Sequence, residues 1–302
     1  MGTQFGYFCK TPLIQFLGRN PRLKPLPRGF FIENKKKERY ITYQMDENTL
    51  VISGIKIFYH NRGAGDAILI LHGWGSRSEH WLKTQEELVR RGYRVIIPDL
   101  PGFGRSDEPP DEWSLAEYSQ FINEFSKAVY IPYFTLVGHS FGGRIAMDYA
   151  IRHPKQVHAL VLIDAAGITP RKKLKLNFFM VLSKVGNLIF ELPLLEFLQP
   201  IVRKVWYKIT RIDDYYVATS RMRAVMRRVM EENLEQYLPH ITKPTLILWG
   251  ENDFTTPISD ALIIHRSIPV THLHIFPGAG HSLELEVPLK IARQMDKFLK
   301  TI

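Results

Sequence analysis

The run Ala67-Ile68-Leu69-Ile70-Leu71 is apolar at every position and stops at His72-Gly73. A strand with one wet face alternates polar and apolar residues. A strand without alternation is covered on both faces, which calls for a parallel sheet with helices above and below it. Short runs of the same kind recur at 94–98, 134–138, 160–163, 245–249 and 272–276. Between and after them, residues 81–91, 114–130, 142–152, 257–267 and 289–299 carry helical spacing. Short strands alternating with helices specify an α/β chain with a largely parallel sheet wrapped on both sides. Ahead of this rhythm, 41–45 and 55–59 alternate like an antiparallel edge.

The rhythm breaks twice, and the charge follows the breaks. Residues 1–39 hold Pro12, Pro21, Pro25, Pro27 and the run Lys35-Lys36-Lys37, which reads as an irregular basic arm with a short helix over 12–17. Residues 167–240 read as a helical insertion between two sheet strands, apolar over 176–198 and a long helix over 215–235. The formal charge is +10, from 40 Lys+Arg and 30 Asp+Glu. Nine basic and two acidic side chains fall in 1–39, thirteen and seven in 167–240, so the rest of the chain sums to −3. The division expected is a 1–39 arm, a core over 40–166 and 241–302, and a cap over 167–240. A basic arm with Phe5, Tyr7, Phe8, Leu13 and Ile14 allows weak contact with an anionic membrane. No zinc-finger, RNP-type or helix–turn–helix pattern accompanies the charge, so no nucleic acid is expected. Gly6 breaks a myristoylation signal, which needs Ser or Thr at that place. The single Cys9 excludes an intramolecular disulfide and a thiolate zinc cluster. With no signal-peptide pattern and no apolar run of membrane-spanning length, a cytoplasmic protein is expected, with peripheral membrane attachment as the alternative. Oligomeric state is left open.

The chemistry centres on Gly138-His139-Ser140-Phe141-Gly142, a G-x-S-x-G placed between an apolar strand and a helix. A sharp turn there lifts the serine hydroxyl clear of the backbone, and the glycines make room for the crossing. A serine needs a base, and the base needs an orienting group. Of 11 histidines, His281 follows strand 272–276 in Pro277-Gly278-Ala279-Gly280-His281, outside a carboxyl strand end, where open α/β sheets place their sites. Asp253 follows Trp249-Gly250 in the same way, with Glu251, Asp164 and Glu284 as rival acids. The amides of Phe141 and Trp74 are the expected oxyanion donors, with Gly73 and Gly75 letting the 72–75 loop approach. Trp74, His139, Phe178, Phe179 and Phe190 are candidate pocket residues, although the three phenylalanines can equally fasten the insertion to the body. No metal and no organic cofactor is required.

Four pieces in order, His72-Gly73-Trp74-Gly75, Asp99 to Asp107, Gly138 to Gly143, and Asp253 with Gly280-His281, make residues 40–302 resemble the serine α/β-hydrolase superfamily. Within it the chain is similar to capped esterases and meta-cleavage-product hydrolases. The resemblance implies an eight-stranded, mostly parallel sheet with a cap between strands six and seven, and no reactive role for Asp99, Arg105 or Ser106. Ser140 departs from the Asp nucleophile of haloalkane dehalogenases and epoxide hydrolases. Ser282 and His139 stand where meta-cleavage-product hydrolases typically carry Trp and Asn, and the Gly-Gly-Ser-Trp-Gly elbow of prolyl aminopeptidases is absent. Carboxylic ester hydrolysis is therefore the expected activity, acting on a small hydrophobic acyl or aromatic substrate. Meta-cleavage C–C hydrolysis and a non-catalytic binding protein of the same fold are the alternatives.

Overall fold

A computed structural model describes residues 47–168 and 218–302, all within the unit Met45–Ile302. The arm 1–39, the strand expected at 41–45, the apolar stretch 176–198 with Phe178, Phe179 and Phe190, and the start of the 215–235 helix lie outside the described residues.

The eight strands are β1 Glu47–Ile52, β2 Ile55–Arg62, β3 Ala67–Leu71, β4 Arg94–Pro98, β5 Phe134–His139, β6 Val157–Ile163, β7 Thr245–Gly250 and β8 Thr271–Phe276. They form one sheet in the order β1-β2-β4-β3-β5-β6-β7-β8. The β1/β2 and β2/β4 pairs are antiparallel, and every other pair is parallel. β1 is the strand that periodicity does not reveal, because it is a largely exposed edge of mixed polarity. It is joined to β2 by Ser53-Gly54, both at positive φ (49° and 82°), with Ile52 opposite Ile55. A two-residue hairpin that matches the strand twist requires that conformation.

Among the described residues the helices are α1 Leu82–Arg90, α2 Leu115–Ala128, α3 Phe141–Arg152, α4 Ser220–Glu231, α5 Ile258–Ser267, α6 Leu283–Glu286 and α7 Pro288–Leu299. The helix expected over 81–91 splits into a 3-10 turn, Ser78–Trp81, and α1. α2 opens on a capping box, Ser114 with Glu117. The insertion between β6 and β7 is helical where described: α4 and a 3-10 segment, Glu235–His240.

β3 shows why its sequence does not alternate. Leu69 and Leu71 pack with Tyr118 and Phe121 of α2 and Ile145 and Tyr149 of α3. Ile68 and Ile70 pack on the opposite face with Leu88 of α1 and Ile291 and Met295 of α7. Alternate residues feed two separate apolar layers, each removing the area of whole side chains from water, roughly 1.5–3 kcal/mol apiece. The parallel strands end together at their carboxyl edge, and the loops carrying Trp74, Ser140, Asp253 and His281 follow β3, β5, β7 and β8 there. Among the described residues, no helix is long and apolar enough to cross a membrane.

Candidate active site

Ser140 sits between β5 and α3 at φ 50°, ψ −112°, a conformation that non-glycine residues rarely adopt. Crowding dictates the neighbours. A Cβ on Gly138 would stand 2.3 Å from the Gly142 carbonyl oxygen, and one on Gly142 would stand 2.3 Å from that of Leu71. Backbone bonds hold the turn: the Ser140 N–H donates to the Ile163 carbonyl (3.0 Å), and the Ser140 carbonyl accepts from Ala166 N–H (3.0 Å).

Ser140 Oγ lies 3.0 Å from His281 Nε2, and His281 Nδ1 lies 2.7 Å from Asp253 Oδ2. The three residues come from loops 113 and 28 positions apart and converge only through the sheet order. Asp253 is saturated with donors. Oδ1 accepts from the N–H groups of Thr255 (2.7 Å) and Thr256 (3.0 Å), and Oδ2 accepts from Thr256 Oγ1 (2.6 Å). Burial pushes this carboxyl up, but the hydrogen bond and charge of His281 and the Thr256 donors outweigh burial and leave its pKa below the ordinary value.

The rival acids do not pair with the His281 ring. Glu251 accepts from Gly278 N–H (2.8 Å) and ties the β7 and β8 loops together. Asp164 accepts from Gly250 N–H (2.8 Å), and burial pushes its pKa up to about 9. Glu284 approaches His139 at 3.7 Å. Thr256, which sequence reasoning missed, is identifiable only once Asp253 is located, because its contact depends on the turn after β7.

The 72–75 loop approaches the elbow closely: a Cβ on Gly73 would stand 3.3 Å from Ser140 Cβ. The Gly73 carbonyl accepts from Ser76 N–H (3.2 Å), with Gly75 at φ 68° in the third place of the turn, which favours glycine there. His72 locks the loop from below. Leu100 N–H donates to His72 Nε2 (3.0 Å), so Nδ1 carries the proton and donates to the Gly73 carbonyl (2.8 Å). Burial lowers the His72 pKa to about 4, which keeps that neutral tautomer in place. Phe141 opens α3, where the first amides have no intrahelical acceptor. Among the described residues, neither its N–H nor that of Trp74 donates to a backbone carbonyl.

The Trp74 and Phe141 rings pack edge-to-face at 5.3 Å, and Phe103 packs on Trp74 at 4.8 Å and on Phe141 at 5.9 Å. These aromatics give the Ser140 neighbourhood an apolar wall; sequence reasoning passed over Phe103. Asp99 shapes the same region by accepting from Ser78 N–H (2.6 Å) and Arg105 N–H (2.9 Å), and Ser106 Oγ donates to the Asp99 carbonyl (2.7 Å). His139 is buried behind the site. His139, Asp164 and His281 bring ligand atoms within 4.8 Å of one another, yet both ring nitrogens of His281 are already engaged by Asp253 and Ser140. The cavity lined by Asp148, Arg152, Glu232 and Tyr237 lies outside this constellation.

The alpha/beta hydrolase fold matches residues 66–287. An uncharacterized protein of Mycobacterium tuberculosis is 30% identical over 275 residues, covering 83% of this chain and 80% of that protein. A 2-hydroxy-6-oxo-6-phenylhexa-2,4-dienoate hydrolase of Burkholderia cepacia is 27% identical, covering 78% and 88%. A monoacylglycerol lipase of Xenopus laevis is 27% identical, covering 82% and 80%. Among solved structures, a bacterial membrane phospholipase A superposes with a TM-score of 0.69 at 28% identity, covering 85% of this chain and 86% of that one.

Proposed function

The chain belongs to the alpha/beta hydrolase family, and we propose that within it Ser140 is the nucleophile, His281 the general base and Asp253 the group that orients His281. The observation that carries this reading is the continuous chain of contacts from Asp253 Oδ2 through His281 to Ser140 Oγ, at 2.7 and 3.0 Å. His281 takes the Ser140 proton as Oγ attacks a carbonyl carbon. The amides of Phe141 and Trp74 receive the developing oxyanion at the amino end of α3, where the helix dipole also favours negative charge. Asp253 holds the imidazole proton on Nδ1 and stabilises imidazolium. The proton then passes to the leaving group, and water, activated by the same histidine, releases the acid from Ser140. Each turnover consumes one water and yields one acid and one protonated leaving group. Residues 167–240 serve as a cap, and the Trp74–Phe103–Phe141 wall selects a hydrophobic or aromatic acyl group.

For the bond cleaved, C–C hydrolysis of a meta-cleavage type of substrate has the broader support. Hydrolases with names of that type recur among the relatives at 26–27% identity over 78–83% of this chain. A carbon leaving group must be protonated as it departs, so the substrate has to delocalise that electron pair until His281 delivers the proton. Ester hydrolysis is the second reading. It is favoured by Ser282, which replaces the tryptophan typical of meta-cleavage-product hydrolases, and by likeness to the monoacylglycerol lipase and the phospholipase A.

Initial rates separate the two readings, measured for wild type and S140A on p-nitrophenyl esters from acetate to palmitate and on a 2-hydroxy-6-oxo-dienoate. Ser140-dependent turnover of the dienoate alone establishes C–C hydrolysis, and turnover of the esters alone establishes an esterase. Rates that S140A does not change on either class remove the nucleophile assignment.

A further inference from the structure

His139 is the residue that the proposed mechanism leaves unused, although it lies beside the nucleophile and is 4% exposed. Its ring is held from several sides. Nε2 is 2.8 Å from the His281 carbonyl oxygen, so Nε2 carries the proton and donates. The Nδ1 edge lies against Gly73, where a Cβ would stand 2.8 Å from Nδ1. The rings of Trp81 and His281 lie 6.0 and 5.1 Å away. One imidazole therefore spans the gap between the loop that bears the Trp74 amide and the loop that bears His281.

Glu284 completes the arrangement. It is 3% exposed, at the start of α6 just beyond His281, and its Oε2 approaches His139 Nε2 at 3.7 Å with no hydrogen-bond partner among the described residues. A buried carboxyl costs free energy unless something nearby compensates it. The imidazole 3.7 Å from this oxygen is the one that already donates to His281.

Two features set this pair apart from ordinary packing. An apolar side chain of the same volume would fill the space, but it would leave the His281 carbonyl without its donor and Glu284 without the imidazole beside it. The contact is also directed at the backbone of His281 and not at its ring, so it constrains where that ring starts from. A ring that must meet Asp253 at 2.7 Å and Ser140 at 3.0 Å at once tolerates little movement of its own Cα.

We propose that His139 and Glu284 are positioning residues for His281: His139 braces the His281 backbone against the Gly73 loop, and Glu284 holds the donating edge of His139 in register. The inference rests on the reading of His281 as the base.

The test uses a fluorophosphonate probe on the full chain, which requires no knowledge of the natural substrate. Ser140 Oγ forms a bond to phosphorus, fluoride leaves, and the hydroxyl proton passes to His281, so the labelling rate reads how well the base is placed. Wild type, S140A, H139M, H139Q and E284Q are compared for the maximal labelling rate and for the probe concentration at half-maximal rate. Thermal unfolding of each variant is followed in parallel. H139M removes the donor at similar bulk and is expected to slow maximal labelling about tenfold or more, with the half-maximal concentration unchanged, because misplacement costs rate and not binding. H139Q keeps an N–H at the position of Nε2 and is expected to recover to within about threefold of wild type, with E284Q between the two. H139M labelling as fast as wild type overturns the inference, and so does H139Q labelling as slowly as H139M, since the ring and not the donor would then matter. If H139M does not fold, H139Q and E284Q still decide: E284Q labelling as fast as wild type overturns the role of Glu284, and H139Q labelling about tenfold or more slower than wild type overturns the role of the donor at His139. Failure of the underlying reading is separately visible, because wild type would then not be labelled at Ser140, or S140A would be labelled at the same rate.

Discussion

The carboxyl ends of β6 and β7 each carry an aspartate, and the two behave as opposites. Asp164 follows β6, is wholly buried, accepts one hydrogen bond from Gly250 N–H, and has a second oxygen with no partner among the described residues. Asp253 follows β7, the neighbouring strand of the sheet, yet it accepts three hydrogen bonds from Thr255 and Thr256 and faces His281. Burial wins at Asp164 and holds the carboxyl neutral, with its pKa pushed up to about 9. Donors and His281 win at Asp253 and hold it ionised. A place at the end of a strand therefore does not make an acid; the number of donors aimed at it does.

Substitutions can break this contrast. S140A sets the floor: turnover on any substrate the enzyme accepts should fall about 10⁶-fold while folding is retained. D253N should cost about 10⁴-fold in kcat, the scale seen when a triad aspartate becomes asparagine and the base takes the wrong tautomer. T256V, which removes a hydroxyl 2.6 Å from Asp253 Oδ2, should cost about tenfold in kcat, as expected for one hydrogen bond to a charged group. D164N should change kcat by less than about threefold, because asparagine resembles a neutral carboxyl in shape and polarity. A D164N loss as large as that of D253N would mean that Asp164 acts as an ionised partner, and the contrast would collapse.

The pH dependence of stability should also run in opposite directions at the two sites. The depressed Asp253 pKa means that its contribution is present above the unfolded carboxyl value and is lost as pH falls through the folded one. Asp164 binds its proton more tightly in the folded chain, so its cost grows as pH rises from about 4, the unfolded value, towards 9. Removing that group should help most at the alkaline end. The Tm of D164N relative to wild type should rise by a few degrees between pH 4 and pH 8, measured by calorimetry at both values. A constant difference would show that Asp164 does not change its protonation on folding.

Much of this site was legible before the fold. Ser140 is marked by glycines that steric crowding requires, and His281 and Asp253 by their places after apolar runs; the strands at 67–71 and 94–98 have the bounds expected of them. Thr256, Phe103 and the brace at His139 were not legible, because each acts through contacts between loops far apart in the chain. β1 was missed for a different reason: an exposed edge strand buries little and leaves almost no periodic trace.

By itself the sequence determined the order of the elements, the covered sheet and the strained serine turn, since local sterics and the spacing of apolar residues act along the chain. Tertiary structure alone decided that the acid facing His281 is held ionised while Asp164 is kept neutral. That choice depends on how many donors and how much water surround a carboxyl, and both are set by segments that meet only when the strands are laid side by side.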